Sequence, residues 1–230
     1  MSDIQTLNPS GASGALAASQ NRVLRNTYLL LALSLIPTVI GAFIGVNLNF
    51  SFMRSSPFLS LIVFLGVFYG LMFMIEKNKT SSLGVGLLLL FTLLMGVMLG
   101  PILQIALGRG AHQIVALAAG GTAAIFFALA AVGSVAKRDF SFLTKFLMVG
   151  FFVLLIAMVA NAFLQMPALA LTISAAFILF SSAAILFSIN QIVRGGETNY
   201  VSATLTLYVG IYNIFTSLLH ILLSVTGQRD

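Results

Sequence analysis

Charge is scarce in this chain, and acid is scarcest of all. Only 7% of the 230 residues are charged, and the carboxylates are Asp3, Glu76, Asp139, Glu197 and Asp230. Cysteine is absent, which excludes a disulfide framework, thiol catalysis and a thiolate metal site, and leaves the redox compartment unread. Neither HExxH nor GxSxG occurs, so the zinc-hydrolase and nucleophile-elbow chemistries lack their parts. The two histidines, His112 and His220, have no carboxylate or thiol near them in sequence, too few ligands for a metal. A seven-helix retinal protein would need a lysine in mid-membrane, but Lys145 sits at a helix end and the last apolar run has none. The expectation is a protein that is not an enzyme, with no catalytic residue, cofactor or metal.

What is present is hydrocarbon. Sixty per cent of the residues are hydrophobic and the mean hydropathy is +1.10, more apolar surface than a soluble domain of this size can hide, so lipid must be the solvent. The net charge of +6 does not point to nucleic acid, because the basic residues lie singly between apolar runs. About 20 apolar residues span the hydrocarbon core, and seven runs qualify: about 28–46, 58–75, 83–107, 114–135, 146–164, 168–189 and 203–225. They are continuous rather than alternating, which favours helices over a barrel. The third is long and holds Pro101, so it should tilt or bend; only Gln165, Met166 and Pro167 separate the fifth from the sixth, a tight hairpin.

An odd number of spans puts the ends on opposite sides. Arg22, Arg25, Lys77, Lys79, Lys137, Arg138, Lys145 and Arg194 share the side of the N-terminus, against Arg54, Arg109 and Arg229. This positive-inside bias predicts a cytoplasmic N-terminus and an outside C-terminus. The first apolar run is too long for a signal-peptide core and reads as an uncleaved anchor. Residues 1–22 read as a flexible cytoplasmic tail, with an ordered cap helix as the alternative for its Ala-rich middle; residues 23–230 form a single seven-helix domain.

Small residues let helix backbones approach in lipid. Gly41/Gly45, Gly66/Gly70 and Gly96/Gly100 have that spacing, and packing within one bundle is their expected role. Ser174, Ser181 and Ser188 recur every seven residues on one face of the sixth span. On the seventh, Ser202, Thr206, Gly210, Thr216, Ser217 and His220 fall within about 60° of Asn213, with Val209 the apolar exception, while Leu207, Ile211, Ile214, Phe215, Leu218 and Leu222 lie opposite. A polar stripe of Thr206, Asn213, Thr216, Ser217 and His220 facing lipid would be costly, so it should be buried, turned towards protein or a wet cavity. Interhelical hydrogen bonding and a solute path both fit it. His220 is the one ionisable group within a span, and a hydrogen bond inside the bundle or a proton relay are its two readings.

Four stretches carry a resemblance: "LLMGVMLGPIL" (Leu93–Leu103), "KRDFSFLTKFLMVG" (Lys137–Gly150), "MVANAFLQMPAL" (Met158–Leu169) and "GGETNYVSATLTLYVGIYNIFTSLL" (Gly195–Leu219). Together they resemble the Bax-inhibitor family, with its transmembrane Bax inhibitor motif, and within it the bacterial YccA branch, the modulators of the FtsH membrane protease. The likeness runs from about residue 23 to 222. It implies an all-α membrane protein whose last helix is enclosed by the other six. It also implies two activities: a pH-sensitive calcium leak using a pair of acids on the last two helices, or association with FtsH that restrains its attack on membrane proteins. The paired acids would fall at Ser188 in "LFSINQI" and at Gly210 in "LYVGIYN". Neither residue titrates or offers a carboxylate to calcium, so calcium is not an expected partner.

The leading expectation is therefore a multi-pass protein of the bacterial inner membrane that binds lipid and the FtsH complex. An ion or solute leak is the alternative, and a structural subunit of another membrane complex a third. The turn Gly195, Gly196, Glu197, Thr198, Asn199 is expected to be cytoplasmic, its glycines reversing the chain and Thr198 or Asn199 capping the last helix. It has no ion-binding chemistry, and a docking role stays open.

Overall fold

The structure is a computed structural model, described over residues 9–50, 55–108, 110–136 and 140–227. Eight helices carry it: α1 Pro9–Asn47, α2 Pro57–Lys77, α3 Ser82–Met98, α4 Gly100–Gly108, α5 His112–Val135, α6 Leu143–Leu164, α7 Pro167–Arg194 and α8 Tyr200–Thr226. There is no strand among the described residues. Helices α3 and α4 are one interrupted span, so seven segments are long and apolar enough to cross a membrane. The interruption follows from Pro101, which has no N–H to give and crowds the carbonyl four residues back. The α6–α7 hairpin turns on Gln165, at a left-handed φ of 49°, with Asn161 Oδ1 accepting from the Met166 N–H at 3.2 Å.

The first helix begins earlier than the sequence reading has it. Residues 9–21, expected as part of a flexible tail, are helical and continuous with the first span. Extending an existing helix needs no new nucleus, and the Ala-rich stretch has the propensity to continue it. Residues 1–8 lie outside the described residues.

Two of the glycine pairs interlock. Gly41 faces the backbone of Leu93 and Val97, Gly96 faces that of Thr38, and Gly45 and Gly100 face each other. No side chain fits at any of the four, so α1 lies against α3 and α4 at backbone distance. Gln104 closes the lower end of this contact, its Nε2 within 2.9 Å of Val46 O and 2.7 Å of Leu48 O, groups left unpaired where α1 ends. The third pair is different: nothing lies within 4 Å of a methyl placed at Gly66 or Gly70. Packing inside the bundle is corrected for that pair, because α2 turns this face outward.

Helix α8 is central. It packs against α7, α5, α1, α2 and α3, and Val201, Leu207, Ile214 and Leu219 on it are wholly buried. The Tyr208 hydroxyl lies 2.8 Å from Thr38 Oγ1 and 3.3 Å from Thr92 O, joining α8 to α1 and α3. Around it the packing runs α1–α3–α2–α6–α7–α5. The enclosure is not complete: α6 reaches α8 chiefly through its neighbours, and α1 and α5 leave an opening. They meet at one end, where Tyr28 stands edge-on to Phe126 at 6.2 Å.

The interlocked glycines generate a test. Gly96→Leu should destabilise the bundle beyond the ~1–3 kcal/mol of ordinary overpacking, since backbone rather than side chain must move. Gly66→Leu, in open space, should stay within ~0.5 kcal/mol of the parent. Thermal unfolding in detergent compares the two; equal losses would contradict the interlock.

Candidate functional site

The turn between α7 and α8 is built residue by residue. Gly195 adopts φ 77°, the left-handed position that ends a helix. Its N–H bonds Ile192 O at 3.1 Å, and the Gly196 N–H bonds Gln191 O at 2.8 Å. Asn199, not Thr198, caps α8: its Oδ1 accepts from the N–H groups of Val201 at 2.9 Å and Ser202 at 3.2 Å. Glu197 Oε1 in turn accepts from the Asn199 N–H at 2.7 Å. Thr198 is exposed.

This turn is tied to two other segments. Asn199 Nδ2 donates to Lys79 O at 3.0 Å. Glu76, at the end of α2, accepts from Ser202 Oγ at 3.0 Å and from Lys79 Nζ at 3.1 Å. The Glu76–Lys79 ion pair is about 40% exposed on both sides and adds little stability by itself. Its effect is positional, since the same carboxylate holds the start of α8 to the end of α2. Gln20, on the early part of α1, lies against Gly195.

Ser188 and Gly210 lie on facing helices, and hydrocarbon fills the space between those helices. A methyl at Gly210 would come 2.7 Å from Ile185 Cγ1, and Ile185 and Ile189 are wholly buried. Ser188 is buried beside them, as are Ser174 and Ser181. The Ser181 hydroxyl has no hydrogen-bond partner, a cost of about 1–3 kcal/mol. Among the described residues, no three of the acids and histidines gather to hold a metal ion.

The stripe on α8 does not have the burial its periodicity suggests. Ser217 is buried, Asn213, Thr216 and His220 are half-buried, and Thr206 is exposed, so a uniformly buried stripe is corrected. Ser202 at one end bonds Glu76 of α2, while His220 at the other lies 3.0 Å, through Nδ1, from Ser174 Oγ of α7. The Ser174 hydroxyl also lies 2.9 Å from Ala170 O, and the His220 tautomer sets which partner donates in the contact with Nδ1. The stripe thus follows the seam between α2 and α7, which do not pack tightly on each other, and on the apolar side Leu207 and Ile214 are wholly buried while Ile211, Phe215, Leu218 and Leu222 are half-buried. Periodicity finds a face; it does not rank the neighbours on each side.

Sequence reading missed Glu76, Lys79 and Tyr208. A carboxylate at the C-terminal end of a span, three residues before a lysine, was the one available signal for the first two. Tyr208 hides among apolar neighbours, with nothing to mark it.

A family model described as "Inhibitor of apoptosis-promoting Bax1" matches residues 20–227. The "Modulator of FtsH protease YccA" of Escherichia coli K12 is 48% identical over 204 residues, 89% of this chain and 90% of that protein. The "Inner membrane protein YccA" of Escherichia coli O6:H1 shows the same 48% over 204 residues, with the same coverage of 89% and 90%. An uncharacterised protein of Neisseria meningitidis serogroup A is 47% identical over 214 residues, 91% of this chain and 94% of its own.

Placing an acid at position 210 tests the filled space. Gly210→Asp should lower stability by more than ~3 kcal/mol, overpacking adding to an unpaired buried carboxylate. Adding Ile185→Ala should recover part of that loss. Unfolding of the single and double variants in detergent measures both, and an aspartate accepted without loss would contradict the packing described.

Proposed function

The chain belongs to the Bax-inhibitor family, and on that premise we propose that it is a non-enzymatic regulator of the bacterial inner membrane that associates with the FtsH protease and modulates it. The observation that carries this reading is the 48% identity, over about nine-tenths of both chains, to a protein named as a modulator of FtsH. The acid-free pair of positions supports it from the other side: with Ser188 and Gly210 packed among isoleucines, no carboxylate pair is there to titrate or to bind calcium.

In this reading the N-terminus is cytoplasmic and the C-terminus outside. The bundle meets the protease laterally in the membrane. The segment Ser2–Asn21 is the part the protease can engage from the cytoplasm, and the interlocked helices α1 and α3 resist extraction. The turn Gly195–Asn199, held to Lys79 and Glu76, is a preformed surface on the same side.

A leak pathway is the second reading, favoured by one observation: the stripe along the α2–α7 seam is open enough to expose Thr206 and half-expose Asn213. Flux through liposomes carrying the purified protein should fall in Asn213→Leu if this path conducts; flux no greater than in empty liposomes removes it.

Recovery from membranes tests the leading reading. Tagged protein at near-native expression should retain FtsH through mild detergent, scored by mass spectrometry. Removing residues 2–21 should reduce both FtsH recovery and the protein's effect on turnover of a membrane substrate. No FtsH with a folded, inserted protein would overturn the proposal, and unchanged association and turnover after truncation would remove the tail's part in it.

A further inference from the structure

The opening between α1 and α5 is a groove of about 1030 Å³. Tyr28 and Leu35 form one wall, Ala123 and Phe126 the other, and Ile211 and Tyr212 of α8 the floor. It opens sideways between two membrane-spanning helices, so it opens to lipid. No charged side chain lines it. Three hydroxyls along it are engaged within the protein: Tyr28 with Ser134, Tyr208 with Thr38, Thr122 with Ala118 O. The rest of the lining is almost entirely hydrocarbon, with the Tyr212 hydroxyl on the floor, and suits an apolar occupant.

One end is different. Arg25 lies one turn before Tyr28 on α1, just beyond the groove-lining residues of that helix and about 60° around its axis from Tyr28. It is exposed and has no ion-pair partner among the described residues. We infer that the groove binds an anionic membrane phospholipid, with its acyl chains between α1 and α5 and its phosphate on Arg25. A basic residue at the membrane surface, at the mouth of a cleft between spanning helices, is the arrangement that selects anionic headgroups. An apolar helix from a partner could match the walls, but it would leave Arg25 without a counter-charge. By the distribution of basic residues, the lipid is drawn from the leaflet facing the cytoplasm.

The chain contains no tryptophan, so one introduced indole reports its own surroundings. Ile211→Trp places it on the groove floor, Phe126→Trp on the wall as a conservative second site, and Phe152→Trp on the exposed face of α6 as a control. Each full-length variant is reconstituted in phosphatidylcholine vesicles containing either phosphatidylglycerol or phosphatidylcholine brominated on its acyl chains. In the groove, brominated phosphatidylglycerol should quench at about one-fifth the concentration that phosphatidylcholine requires, the effect of one basic residue on an anionic lipid. Arg25→Gln should abolish that preference, and the control should show none.

Groove indoles shielded from both lipids while the control is quenched would mean protein fills the opening, and the inference fails. Equal quenching by both lipids, unchanged in Arg25→Gln, would overturn the headgroup assignment. If Ile211→Trp alone fails to fold, Phe126→Trp decides between these results.

Discussion

The architecture depends on how closely α1 can approach α3 and α4. Lipid offers no hydrophobic force between helices, so contact has to be made by fitting atoms together. Gly41, Gly45, Gly96 and Gly100 remove the side chains that would otherwise hold the two backbones apart. That proximity brings Thr38 to the hydroxyl of Tyr208 and sets Gln104 under the free carbonyls at the end of α1. Because α1 is drawn to this side, its other flank leaves α5, and the ring around α8 stays open there.

Much of this was legible in sequence, for reasons that differ from element to element. The spans could be read because length and apolarity are one-dimensional properties: six of the seven runs fall within a single observed helix, and the third covers the interrupted pair α3 and α4. The break at Pro101 could be read because proline acts on its own backbone. Pairings between helices could not: Gly66 and Gly70 have the same spacing as Gly41 and Gly45, yet face nothing. The stripe on α8 fails as a burial prediction for a related reason. Both sides mix burial classes, with Ser202 and Ser217 buried on the polar side and Ile211 and Phe215 only half-buried on the apolar side, since a central helix has protein on most sides and openings on both.

At Ser188 and Gly210, where the resemblance would place a pair of acids, the contact between α7 and α8 is filled and largely apolar. Here Ile185 occupies the space in front of Gly210, and Ile189 lies wholly buried near Ser188. The Ser181 hydroxyl on the same helix is buried without a partner, and Ser188 is buried with it. The α7–α8 contact is therefore held by shape rather than by charge, and screening by salt has little there to act on.

The unbroken run of α1 from Pro9 to Asn47 has a mechanical consequence. Tension applied near the start of this helix travels along its axis and reaches the glycine contact as sliding, parallel to the touching backbones. To slide, α1 must drag Gly41 past the Leu93 carbonyl, and the Thr38 backbone past Gly96, with no side chains between them to bend aside. All of these contacts bear the load together rather than in succession. A pull on its first residues would therefore be resisted by the whole of this backbone contact at once.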